Sequence, residues 1–131
     1  MSSEGAAKGK LVLVADDDAD FLNLVTLRLQ QEGHRVERAS DGSEALRKAR
    51  EANPDLCILD VMMPGLTGFE VLRELRSAER TEEMPVMLLT ASLTDQQAFE
   101  GATDAAADDW MRKPFSTAEF RSRIAALLDR A

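Results

Sequence analysis

The sequence predicts an α/β fold: a doubly wound, five-stranded parallel sheet with five helices on its two faces. Two patterns predict it. Short runs of Leu, Val and Ile leave no polar face, which suits strands covered on both sides. Between them lie longer segments whose apolar residues recur every three or four positions, as on an amphipathic helix. The two kinds of segment alternate along the chain, and alternation implies right-handed crossovers between parallel strands.

Residues 1–9, rich in Ser, Gly and Ala, read as a flexible tail, and 10–131 as one folded domain. Lys10–Ala15 (KLVLVA) is the first strand, stopped by Asp16–Asp17–Asp18, the last of which offers an N-cap. The helix that follows, Ala19–Glu32, carries Phe21, Leu24, Val25 and Leu29 on one stripe, and Gly33 closes it. Arg35–Ala39 alternates polar and apolar residues, which marks an edge strand. Asp41–Gly42 turns into a helix over Ser43–Ala52 that Asn53–Pro54 stops. Leu56–Leu59 (LCIL) is a wholly apolar third strand ending at a lone Asp60, and Met63–Pro64–Gly65 is a turn. The third helix, Phe69–Ser77, buries Val71, Leu72 and Leu75. Pro85–Leu89 is the fourth strand, leading to Thr90–Ala91–Ser92 and a helix over Thr94–Ala105. Asp109–Arg112 is the fifth strand, and Lys113–Pro114–Phe115 leads into a last helix, Thr117–Arg130.

Composition removes several classes of function. With 16 basic against 24 acidic residues the net charge is −8, and Lys and Arg are scattered among carboxylates, so direct binding of nucleic acid or of an anionic membrane is not expected. The single cysteine, Cys57, and single histidine, His34, exclude a disulfide framework and a Cys- or His-rich metal site. No apolar run approaches the roughly 20 residues needed to span a bilayer. The first ten residues lack the apolar core of a signal peptide, so the expected location is the cytoplasm.

In a doubly wound sheet, ligands bind beyond the carboxyl ends of the strands. The residues there are Asp16 and Asp17 after strand one, Asp60 after strand three, Thr90 after strand four and Lys113 after strand five. Crowded carboxylates raise one another's pKa unless a cation intervenes, and an all-oxygen ligand set suits Mg²⁺. Such an ion, together with the lysine ammonium and the threonine hydroxyl, meets phosphoryl oxygens, and a carboxylate can be the nucleophile that forms an aspartyl-phosphate. The set reads as a phosphoryl-accepting aspartate.

Four segments in order, LVADDD (Leu13–Asp18), LDVMMPGLTGFE (Leu59–Glu70), LLTAS (Leu88–Ser92) and AADDWMRKPF (Ala106–Phe115), resemble the receiver domain of two-component response regulators. The resemblance runs from about Lys10 to Ala131 and implies the flavodoxin-like, CheY-like strand order 2-1-3-4-5. It also implies roles. Asp60 matches the phosphoacceptor and Asp17 a direct Mg²⁺ ligand, with Asp16 acting through water and the backbone carbonyl of Met62 as a further ligand. Thr90 and Lys113 match the residues that grip the phosphoryl group, and the Lys113–Pro114 bond would be cis. Trp110 stands at the aromatic switch position, usually Tyr or Phe, that moves with Thr90. Ala106 stands where many relatives have Gly, which argues against a left-handed backbone there. By the same resemblance Leu22, taken as off the apolar stripe, lies on the kinase-docking surface, with Phe99, Pro114 and Phe115 as further partner-surface residues. The implied donor is a sensor histidine kinase or a histidine phosphotransfer protein. The implied output is a surface of helix four, strand five and helix five that binds a downstream partner, an output domain or, on phosphorylation, a second copy. Self-dephosphorylation is expected to be slow, because Met62 and Ser92 offer no acidic or amide group to orient water. The chain would then be a switch rather than an enzyme.

Two other readings remain open. A receiver-like module could act without phosphorylation. A haloacid-dehalogenase-type phosphatase uses similar groups, but its nucleophile lies in a D-x-D pair after strand one and a cap usually covers it; a lone Asp60 after strand three fits poorly. Asp16-x-Asp18-x-Asp20 mimics the opening of a calcium loop, yet Phe21 and Leu27 stand where that loop needs Gly and Glu. Cys57 reads as a buried, unreactive thiol, His34 as a surface residue, and Met62 and Met63 as loop residues.

Overall fold

The structure, a computed structural model, describes residues 9–130; the tail expected over 1–9 lies, but for Gly9, outside them. Five parallel strands form one sheet: β1 (Leu11–Ala15), β2 (Arg35–Ala39), β3 (Leu56–Asp60), β4 (Val86–Thr90) and β5 (Asp109–Arg112). Their spatial order is β2-β1-β3-β4-β5, so the polar strand Arg35–Ala39 is indeed at an edge and the apolar strands are inside. The helices are α1 (Ala19–Gln31), α2 (Gly42–Ala52), α3 (Gly68–Arg76), α4 (Asp95–Asp104) and α5 (Thr117–Leu128). Element ends differ from the sequence reading by one or two residues, as helix and strand termini do.

The period of two along each strand splits the core. Leu13, Ala15, Cys57, Leu59 and Leu88 face α2, α3 and α4, where they meet Ala45, Ala49, Val71, Leu72, Leu75 and Ala102. Val12, Val14, Ile58, Met87 and Leu89 face α1 and α5 and meet Leu22, Val25, Leu29, Phe120, Ile124 and Leu127. Each inner strand is therefore apolar along its length, except for Asp60 and Thr90 at the ends of β3 and β4, because both of its faces are covered.

Helix starts follow the sequence chemistry. The Asp18 carboxylate accepts from the backbone N–H groups of Asp20 and Phe21, while Thr67 and Thr94 form capping boxes with Glu70 and Gln97. At the end of α1 the cap is Glu32, and Gly33 follows it with a left-handed φ of 92°.

Two expectations fail. The buried stripe of α1 is Leu22, Val25, Thr26 and Leu29, so Leu22 is core and Leu24 is exposed. Thr26 is the reason: a polar residue on the buried face hides the true stripe from a count of apolar residues, and the spacing 21, 24, 25, 29 imitates one. Ala106 does adopt a left-handed backbone, with φ 62°. The Arg76 guanidinium fixes it by donating from Nε to the Ala106 carbonyl (3.0 Å), and the Ala106 N–H donates to Thr103 (3.2 Å). Met62 and Met63 both lie in the β3–α3 loop, as expected, with Met63 packed against the core and Met62 exposed.

Candidate functional site

Every strand except the edge strand β2 delivers part of the site at its carboxyl end. Asp16 follows β1, where its backbone N–H continues the ladder to the Ala39 carbonyl (3.0 Å). Its Oδ1 accepts from the Asp18 N–H (2.9 Å) and its Oδ2 accepts from Lys113 Nζ (2.6 Å), so this 1 %-exposed carboxylate is held at both oxygens. Asp17, next in the chain, is exposed. Asp60 is the last residue of β3, buried, with Oδ1 3.6 Å from Lys113 Nζ. Oxygens of Asp16, Asp17 and Asp60 lie within 4.8 Å of one another.

Backbone contacts fix the floor. Val61 N–H donates to Leu89 (2.8 Å), Gly68 N–H to Val61 (2.9 Å) and Lys113 N–H to Thr90 (2.8 Å). The start of α3 presses so closely on Asp60 that a β-carbon at Gly68 would sit 2.6 Å from the Asp60 carbonyl oxygen. Lys113–Pro114 is cis, as the resemblance implies.

Three clustered carboxylates meet one ammonium, which pairs with Asp16 and Asp60. Burial first, then the neighbouring charges of Asp16 and Asp17, push the Asp60 carboxyl up to about 6, against the pull of Lys113. Thr90, at the end of β4 and 1 % exposed, has a hydroxyl without a hydrogen-bond partner among the described residues. A buried orphan hydroxyl beside surplus negative charge marks a place built for something further. Compact all-oxygen donors without imidazole or thiolate suit a hard divalent cation, and an oxyanion could then take up the free hydroxyl and the ammonium. The residues present therefore fit the expected Mg²⁺.

The remaining candidates lie around this centre. Pro114 is exposed and Phe115 half-buried, and with Phe21, Leu24, Lys113 and Thr117 they line an apolar groove between α1 and the β5–α5 connection. Phe99 stands out from α4, 61 % exposed. Trp110, on β5, is half-buried against the core under α2–α4. Leu22 cannot belong to a partner surface, because it faces the α1–α5 core; Leu24 and Leu27 are the exposed leucines of α1. Sequence reasoning missed Phe21, whose ring lies 4.1 Å from Lys113 Nζ. Spacing placed it on a helix stripe, and no local signal pairs it with a lysine 92 positions away.

Five parallel strands in the order 2-1-3-4-5, with an acidic cluster at their carboxyl edge, define the class of CheY-like α/β domains. Residues 12–125 match the response regulator receiver domain, and the chain belongs to that family. It is 41% identical over 122 residues to the alkaline phosphatase synthesis transcriptional regulatory protein PhoP of Bacillus subtilis, covering 93% of this chain and 50% of that protein. The receiver domain of the Francisella response regulator 1452 superposes with a TM-score of 0.84 at 34% identity, over 93% of this chain and 98% of that one. The receiver domain of sensor histidine kinase PA1611 from Pseudomonas aeruginosa PAO1 gives a TM-score of 0.84 at 28% identity, over 92% and 98% of the two chains. That domain is described with a magnesium ion coordinated in its active site cleft. The chain spans about half the length of the curated relatives it matches. Among the described residues, no helix is long and apolar enough to cross a membrane.

Proposed function

We propose that the chain is a phosphoacceptor switch in which Asp60 takes a phosphoryl group from a phosphohistidine of a sensor histidine kinase or a histidine phosphotransfer protein, in the cytoplasm. The observation that carries this reading is the surplus of carboxylate over ammonium around the buried Asp60. Asp16, Asp17 and Asp60, with the Met62 backbone carbonyl, would hold Mg²⁺, which supplies positive charge to the transferring oxygens. A carboxylate oxygen of Asp60 forms the bond to phosphorus. The P–N bond to the donor imidazole breaks, and the imidazole keeps the electron pair and takes a proton from solvent. The Lys113 ammonium, already beside Asp60, neutralises charge on one oxygen of the group. The Thr90 hydroxyl, free of other partners, donates to another.

That bond draws Thr90 toward the site. The shift passes through β4 and β5 to Trp110 and the exposed face of α4, β5 and α5, where Phe99, or a second copy of the chain, marks the output surface. The change is a shift of population and extends only as far as the new contacts favour the active state. Relatives named as transcriptional regulators support an output on transcription, through further parts of a longer protein or a separate partner. Pro114, Phe115 and the groove beside them receive the phosphodonor. Hydrolysis of the phosphorylated form is slow, since the exposed Met62 and Ser92 side chains offer no acidic or amide group to orient water; loss within seconds would count against these assignments.

Intact mass after treatment with acetyl phosphate and Mg²⁺ tests the reading. Wild type gains about 80 Da only with the metal, and Asp60→Asn gains nothing. Absence of a gain under conditions that label a control receiver would favour a module that works without phosphorylation.

A further inference from the structure

We propose that Phe21 is a positioning residue for Lys113: its ring face backs the lysine ammonium and keeps it in the acidic site. The inference rests on the proposed role of Lys113 at the phosphoryl group. A lysine is a point charge on a flexible four-carbon stem, and nothing in its own chemistry fixes where the charge sits. Here Asp16 attracts it most closely, at 2.6 Å, with Asp60 at 3.6 Å. Beside it opens the groove lined by Phe21, Leu24, Pro114 and Phe115, a route for the ammonium toward water. The Phe21 ring lines that groove beside Lys113, its centroid 4.1 Å from Nζ, well inside the range of about 6 Å over which a ring face attracts a cation.

The ring is itself fixed. Phe115 meets Phe21 edge-on, with centroids 5.9 Å apart and planes at 79°, and stacks on Phe120 at 5.1 Å and 9°. Phe120 is buried in the α1–α5 core. Three rings thus run from the interior of α5 across the β5–α5 connection to α1 and end under the ammonium. A support anchored in the core stays in place whatever the lysine does, which is what preorganisation requires. Phe21 touches no reacting atom in this scheme; it acts through Lys113.

The test has a readout that needs neither metal nor phosphodonor. An ammonium stem over a ring face carries ε-methylene protons shifted upfield, so the Lys113 ε-methylene NMR signal, assigned by its loss in Lys113→Gln, lies apart from those of the other lysines in wild type. Phe21→Leu, which keeps apolar volume but has no ring face, returns the signal to the others, and Phe21→Trp keeps it displaced. With acetyl phosphate and Mg²⁺, Phe21→Leu gains mass about fivefold more slowly than wild type, and Phe21→Trp stays within about twofold. A Lys113 signal among the other lysines in wild type, or equal labelling rates for wild type and Phe21→Leu, would overturn the proposal. Failure of wild type itself to gain mass strikes the phosphoacceptor reading instead, because the NMR shift decides the ring contact by itself.

Discussion

The two edges of the sheet treat their carboxylates in opposite ways. At the amino edge, Asp108 lies just before β5. Its Oδ2 accepts from Arg76 (2.9 Å) and from the Val86 N–H (2.8 Å), and its Oδ1 accepts from Arg130 (2.7 Å). Arg76 also donates to the carbonyls of Met84 (2.7 Å) and Ala106 (3.0 Å), so one carboxylate and two guanidinium groups tie α3, the start of β4, the α4–β5 turn and the end of α5. At the carboxyl edge, among the described residues, the clustered carboxylates of Asp16, Asp17 and Asp60 meet one ammonium, Lys113, which pairs with Asp16 and Asp60, and the Thr90 hydroxyl has no partner. The Arg76–Asp108–Arg130 cluster is satisfied as it stands, while the carboxyl edge lacks positive charge and a partner for the Thr90 hydroxyl. Charge that the chain itself satisfies holds the fold together; charge left unsatisfied on a rigid frame marks the site.

If that contrast is right, removing a carboxylate should do opposite things at the two edges. Asp108→Ala leaves two guanidinium groups and a backbone N–H without their partner, and we expect a loss of about 3 kcal/mol in urea unfolding. A loss below about 1 kcal/mol would mean the amino-edge network is mere decoration of the surface. The frame under the site should be equally unforgiving. Gly68→Ala drives a β-carbon against the Asp60 carbonyl, and overpacking of this kind costs about 1–3 kcal/mol. A neutral result there would show that the site loop gives way easily, and the carboxyl edge would then lose its claim to rigidity.

Magnesium should tell the edges apart without any change to the fold. A cation that binds only the folded chain stabilises it by about 1.4 kcal/mol at ten times its Kd. Wild type and Asp108→Asn should show the same gain, and Asp17→Asn little or none; a gain that survives in Asp17→Asn would move the metal elsewhere. Far from either edge, the exposed pair Arg47–Glu51 on α2 should matter least, so Glu51→Ala changes stability by no more than about 0.5 kcal/mol.

How much of this was legible beforehand follows from what a sequence encodes locally. Strands were readable because runs such as Leu56–Leu59 have no solvent face, and Asp16, Asp17, Asp60, Thr90 and Lys113 because each stands where a strand stops. The wrong face of α1 came from Thr26, a polar residue on the core side, and the wrong backbone at Ala106 from a guanidinium 30 positions earlier that fixes its carbonyl. The Arg76–Asp108–Arg130 tie and the ring under Lys113 were invisible for the same reason: they join residues that only the folded sheet brings together. Cys57 was readable from its apolar neighbours alone, and burial does push its thiol up to about 12.

The most direct test of the contrast is the unfolding free energy of Asp60→Asn against wild type, with chelator present, across pH. Folding raises the Asp60 carboxyl from its ordinary 3.8 to about 6. In that window the folded chain keeps a proton the unfolded chain has released, so this group's contribution is full below 3.8 and is lost as pH rises through about 6. Asn carries no charge to be crowded. The variant should therefore match wild type near about pH 4 and exceed it by about 1–3 kcal/mol above about pH 7. A variant less stable than wild type above that pH would mean that Asp60, like Asp108, is already satisfied by the fold, and the carboxyl edge would no longer be distinguished as the site.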